Sequence, residues 1–180
     1  MTQSGTQSDW DGLVAMLDPK SGDRILDIGA GKGEKAGRIL LTFPGTEVFA
    51  VDPDEGRIAE ARRKHSGVRT TVAGAEKLPF DDAFFDKAYS TMALHHFSDL
   101  DKALDEVSRV VRPGGSYVIL EVYPGSPLGR LFRFFGRLMG EKMHIMTEEQ
   151  LLARLERAAG FRVARSVSLG SRYLVQLART

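Results

Sequence analysis

Between Arg24 and Val122 the chain alternates short β-rich runs with helical stretches, and no other feature restricts its fold as much. Arg24 to Ile28, Glu47 to Val51, Val68 to Val72, Phe85 to Ser90 and Ser116 to Val122 read as strands. Lys32 to Leu41 and Asp54 to His65 read as helices, the second closed by Gly67. Ser98, with Asp101 at the third position, can cap another helix whose apolar face is Leu100, Ala103, Leu104, Val107, Val110 and Val111. The turn Arg112-Pro113-Gly114-Gly115 then leads into the fifth strand. Strands separated by helices pack as a doubly wound sheet covered on both faces. This is a three-layer α/β sandwich with its ligand site at the carboxyl ends of the strands.

Both flanks extend this pattern. Asp9 to Leu17 reads as a short helix with Trp10, Leu13, Val14 and Leu17 on one side, preceded by a polar tail over residues 1–8. Thr147 to Gln150 forms a capping-box pattern before Leu151, Leu152, Leu155, Ala158 and Ala159, with Gly160 placed to end that helix. Arg162 to Leu169 and Arg172 to Ala178 meet at Gly170-Ser171, a connection tight enough to require an antiparallel hairpin. No repeat or linker divides the 180 residues, so 1–180 is read as one domain.

Composition excludes several functions. With 25 basic against 24 acidic side chains the net charge is +1, which gives no strong nucleic-acid signal. The absence of cysteine rules out thiolate metal sites and a cysteine nucleophile. No apolar run is long enough to cross a bilayer, and the polar start lacks the core of a secretory signal, so a cytoplasmic enzyme is expected.

The loop Asp27-Ile28-Gly29-Ala30-Gly31-Lys32-Gly33 ends the first strand and opens a helix. Its glycines allow a tight turn and close approach to a ligand, with free amides at the helix start facing it. Asp52 ends the second strand about twenty residues further on, where an acceptor pair holds a ribose diol. Nicotinamide dehydrogenases share that device, so these residues alone leave two cofactor classes open.

The run I-L-D-I-G-A-G-K-G at Ile25 to Gly33 is followed by V-D-P at Val51 to Pro53 and A-E-K-L-P-F at Ala75 to Phe80. Then come A-L-H-H-F at Ala93 to Phe97 and R-P-G-G at Arg112 to Gly115. Together they resemble the successive signatures of class I S-adenosylmethionine-dependent methyltransferases, closest to the group with quinone-biosynthesis and small-molecule enzymes. The resemblance implies a Rossmann-like, seven-stranded mixed sheet in the order 3-2-1-4-5-7-6, with strand 7 antiparallel. It also implies S-adenosylmethionine as methyl donor and S-adenosylhomocysteine as product.

The same resemblance implies that Asp27, Gly29, Ala30, Gly31 and Gly33 hold the methionine half, Asp52 the ribose, and Pro53 with the Ala75 backbone the adenine. Many relatives carry an aspartate before that alanine, where this chain has Gly74, and Glu76 is the candidate replacement. Ser90 would line the cofactor side and Thr91 the acceptor side. The segment Ser90-Thr91-Met92-Ala93 departs from the Asn-Pro-Pro-Tyr type found in adenine-amino and glutamine-amide methyltransferases.

His95 and His96 are the candidates for proton exchange near neutral pH. A metal site is not expected, because no third ligand falls at a suitable spacing. Glu121, Tyr123 and His144 are candidates for the acceptor side. Residues 124–146 read as a substrate-covering insertion in which Leu131, Phe134, Phe135 and Leu138 form an apolar stripe beside Arg130, Arg133 and Arg137. A lid over the acceptor is the leading reading of 128–142; a homodimer contact and a peripheral membrane contact compete with it. The small size favours a small-molecule or lipid-like acceptor. A macromolecular methyltransferase relying on a partner and a non-catalytic cofactor-binding module are the alternatives.

Overall fold

The computed structural model describes residues 4–138, 146–155 and 160–180. In chain order the elements are α1 (Ser4–Leu17), β1 (Arg24–Ile28), α2 (Glu34–Thr42), β2 (Glu47–Asp52), α3 (Glu55–Lys64), β3 (Arg69–Val72) and β4 (Phe85–Thr91). A 3-10 turn (Leu94–His96), α4 (Leu100–Val110), β5 (Val111–Val122), α5 (Pro127–Leu138), α6 (Glu148–Leu155), β6 (Phe161–Leu169) and β7 (Arg172–Arg179) complete them.

The seven strands form one sheet in the order β3-β2-β1-β4-β5-β7-β6. Strands β1 to β5 pair in parallel, and β7 runs antiparallel to both β5 and β6. This is the expected topology. Central strands must satisfy both faces, and alternate residues serve opposite layers. Ile25, Val48 and Val118 pack with Trp10, Leu13, Leu17 and Ile39 from α1 and α2. Their neighbours Leu26, Phe49 and Ile119 pack with Leu104 and Val107 of α4 and Leu151 and Leu155 of α6.

Several boundaries differ from the sequence reading for local physical reasons. Helix α1 begins at Ser4, so residues 4–8 extend the helix where a tail was expected. No proline interrupts them, and Trp10, Leu13 and Leu17 anchor the turns that follow. Helix α4 is capped by Asp99, whose Oδ1 accepts from the Lys102 amide at 3.1 Å, and not by Ser98. Ser98 is diverted: its amide and hydroxyl both donate to Glu76 Oε1, at 2.7 and 2.8 Å. The capping box of α6 forms as written, with Thr147 and Gln150 exchanging bonds of 3.0 and 3.2 Å. Strand β5 pairs from Val111 onward, but Val111 faces Phe85 and Ser116 faces Lys87, so Arg112 to Gly115 bulge from the ladder.

The loop between β3 and β4 is clamped against α4. Glu106 accepts from the Leu78 amide at 2.8 Å, while Arg109 donates to the carbonyls of Phe80 and Leu78 at 2.8 and 3.0 Å. Phe80 adds an edge contact to Phe85 with centroids 4.8 Å apart. The clamp fixes Ala75 and Glu76 relative to the end of β2. Among the described residues, no helix is long and apolar enough to cross a membrane.

Candidate active site

The loop after β1 turns under the end of β2. The amides of Gly29 and Ala30 both donate to the Val51 carbonyl at 2.9 Å, and the Gly31 amide donates to Asp52 Oδ2 at 2.8 Å. The Gly33 amide closes on the Ala30 carbonyl at 2.9 Å. These four loop amides are therefore engaged within the chain, because the loop stays close enough to β2 to bond it. Gly29 has φ +74°, and a Cβ there would lie 2.5 Å from the Ala93 Cβ, so only glycine fits. Gly31, at φ +54°, has open space where a side chain would stand, which leaves its backbone approachable.

Asp27 lies beneath this loop, 1 % exposed. Its Oδ2 accepts from the Tyr89 hydroxyl at 2.8 Å, while Oδ1 is buried without a hydrogen-bond partner among the described residues. Burial is the dominant effect and pushes the carboxyl up to about 7, against the opposing bond from Tyr89 and the charge of Lys35. Burial and the neighbouring Asp27 likewise raise the Tyr89 phenol well above its ordinary value.

Asp52 accepts one backbone bond at each oxygen, from Gly31 at 2.8 Å and Asp54 at 3.0 Å. Two bonds leave acceptor capacity on a carboxylate. That carboxylate lines a cavity of about 440 Å³, together with Gly29, Pro53, Ala75, Glu76 and His96. Glu76 divides its two oxygens. Oε1 accepts from Ser98 and the Asp99 amide, whereas Oε2 lies 2.9 Å from where a Cβ on residue 74 would stand. Burial opposes ionisation of Glu76, but hydrogen bonds from its own amide, Ser98 and Asp99 outweigh it and lower the pKa.

The two histidines take different positions. His95 is 4 % exposed, its Nδ1 3.0 Å from Glu121 Oε2, while His96 reaches the cavity wall with its ring 4.3 Å from that of His95. Glu121 was one candidate for the acceptor side. It is instead buried and latches the 3-10 turn, accepting from the Leu94 amide at 2.8 Å as well as contacting His95. Ser90 is fully buried against the Tyr117 hydroxyl at 2.8 Å and, like Thr91, is not on the cavity wall. Ala30, Gly31 and Gly33 shape the loop behind the wall. Tyr123 is half-buried, with its hydroxyl donating to Glu148 and its ring 4.9 Å from Tyr173. His144 lies outside the described residues.

The match to the methyltransferase domain family runs over residues 26–119, more than half of the chain and the whole of this site. The chain belongs to the class I S-adenosylmethionine-dependent methyltransferases. A demethylmenaquinone methyltransferase from Thermus thermophilus is 33 % identical to this methyltransferase over 169 residues, covering 80 % of the chain and 76 % of the relative. Another from Clavibacter sepedonicus is 40 % identical over 116 residues, covering 62 % of the chain. The chain spans 46 % of that relative, so it corresponds to about half its length. The fold superimposes on geranyl diphosphate C-methyltransferase from Streptomyces coelicolor with a TM-score of 0.81 at 17 % identity, covering 97 % of this chain and 79 % of that one.

The methyltransferase site also contains residues that motif reading missed. Phe97 and Ser98 line the cavity, a role that their place beside A-L-H-H could have suggested. Met92 lines it too, with φ +54° and its amide donating to the Leu120 carbonyl at 2.8 Å. Nothing in the sequence marks that left-handed residue, since neither glycine nor asparagine stands there.

Proposed function

We propose that this methyltransferase moves a methyl group from S-adenosylmethionine to an oxygen, nitrogen or carbon nucleophile of a small or amphiphilic acceptor. One observation carries the cofactor part: Asp52, with acceptor capacity beyond its bonds to the Gly31 and Asp54 amides, stands on the wall of the cavity beside Gly29 and Glu76. The donor carries a ribose diol, which supplies the hydrogen-bond donors that this carboxylate can still accept. Glu76 Oε2 substitutes for the aspartate that relatives place before Ala75, and accepts from the adenine amino group.

When bound, the cofactor supplies an activated methyl group on a sulfonium, which passes to the acceptor and leaves S-adenosylhomocysteine. The chain then needs to align the acceptor and exclude water, which can supply most of the rate enhancement. His96 is the side chain placed to take a proton from an oxygen or nitrogen acceptor, while His95, held by Glu121, supports the turn behind it. Residues 124–146, next to Tyr123 at the end of β5, bound the acceptor side. The quinone-biosynthesis relatives favour a hydrophobic acceptor.

Calorimetry with S-adenosylhomocysteine tests this reading directly. The wild type should bind, and Asp52→Ala should bind roughly tenfold or more weakly while its circular dichroism is retained, as expected for losing diol bonds worth about 1 kcal/mol each. Tight binding of a nicotinamide dinucleotide without affinity for S-adenosylhomocysteine would sink the assignment.

A further inference from the structure

Helix α5 directs Leu131, Phe134 and Leu138 away from the body of the protein. Its first turn is fixed to the end of β5 by Ser126. The Ser126 hydroxyl donates to the Tyr123 carbonyl at 2.7 Å and accepts from the Gly129 amide at 3.0 Å. Gly129 is the inward side of the helix, since a Cβ there would lie 2.1 Å from the Tyr123 carbonyl oxygen. At about 100° per residue, positions 131, 134 and 138 fall within about 60° of one another and nearly opposite Gly129. Leu131, Phe134 and Leu138 are accordingly 49, 64 and 73 % exposed. None of the three lines the cavity beside Asp52.

Charge indicates what covers these side chains. Positions 130, 133 and 137 are all arginine, each one residue before one of these three, so the positions run about 100° around the helix from them, and Arg130 is exposed. No aspartate or glutamate occurs between residues 124 and 140. A second copy of the chain would meet this face with the same arginine sequence, and a two-fold contact over the three described apolar side chains provides far less than a standard interface. An anionic lipid surface complements both features: headgroup phosphates face the arginines while leucine and phenylalanine enter the acyl boundary.

We infer that α5 is a peripheral docking helix for an anionic bilayer surface. The inference rests on the amphiphilic-acceptor reading above and deepens it. Because α5 starts five residues after β5 ends, docking would hold the acceptor side of the methyltransferase against the phase in which a hydrophobic acceptor dissolves. A helix of 12 residues with three apolar contacts would give reversible rather than permanent attachment.

The test is cosedimentation of the full chain with phosphatidylglycerol-containing vesicles and with pure phosphatidylcholine vesicles, without cofactor or acceptor. Binding should require the anionic lipid, weaken with salt and fall about 100-fold in the Arg130→Glu, Arg133→Glu, Arg137→Glu triple variant. Leu131→Ser, Phe134→Ser, Leu138→Ser should also release the protein. S-Adenosylhomocysteine affinity should persist in both triple variants, which shows that they remain folded. Wild-type protein that binds S-adenosylhomocysteine but stays in the supernatant with anionic vesicles would overturn the inference while leaving methyl transfer intact. So would a concentration-dependent dimer, seen by ultracentrifugation, that the serine variant abolishes.

Discussion

The end of β1 and the end of β5 lie on the same edge of one sheet but are built differently. At β1 every conformational choice is constrained from several sides: Gly29 by Ala93, the loop amides by Val51 and Asp52, and Asp27 by Tyr89. Beyond β5 the chain leaves through Tyr123, and among the described residues Ser126 and the bond of Tyr123 to Glu148 hold it. The first region suits one fixed ligand. The second suits the segment proposed above to meet the acceptor.

The largest effect expected from this contrast is a pH dependence confined to the β1 side. Asp27 has its folded pKa raised from 3.8 to about 7, so the folded state binds the extra proton. Its stabilisation is complete below pH 3.8 and is lost as pH rises through about 7, on the order of 4 kcal/mol over that window. Urea titrations across this range should show the loss, and Asp27→Asn should flatten it. An unchanged slope in the variant would contradict so costly a buried charge.

Next in size is a pair of glycine substitutions. Gly29→Ala should cost about 2–5 kcal/mol, combining a left-handed alanine with overlap on Ala93. Gly125→Ala, with nothing within 4 Å of the new Cβ, should stay within about 0.5 kcal/mol. Equal effects in thermal or urea unfolding would break the comparison. Glu121→Ala should cost about 1–3 kcal/mol by leaving the buried Leu94 amide unsatisfied, and Glu121→Gln should recover part of that. Smallest is Tyr123→Phe. It should alter stability by about 1 kcal/mol or less and leave S-adenosylhomocysteine affinity unchanged by calorimetry.

Much of the β1 side was legible in the sequence, because its constraints leave local marks. A strand that ends in D-I-G-A-G-K-G and a carboxylate at the end of the next strand place Asp27 and Asp52 before any coordinates exist. The capping box at Thr147 and Gln150 is equally local. What escaped depends on contacts between distant segments. Ser98 looks like a cap until Glu76, 22 residues earlier, captures its hydroxyl, leaving the cap to Asp99. Glu121 looks like an acceptor-side residue until the turn at Leu94 folds back onto it. The stripe on α5 is visible in the sequence, but its outward direction depends on Gly129 lying against the Tyr123 backbone. Met92 has no sequence mark, because its left-handed backbone is imposed by surroundings and costs on the order of 1–3 kcal/mol.

The bulge from Arg112 to Gly115 interrupts the ladder at the amino end of β5, at the opposite edge of the sheet from the cavity. Arg112, Pro113 and Gly114 are exposed there. Foreign peptide or a fluorophore attached at Gly114 would therefore point away from the chemistry. Such a fusion would allow the enzyme to be anchored by its back, with both the cofactor entrance and α5 free to meet a supported lipid film.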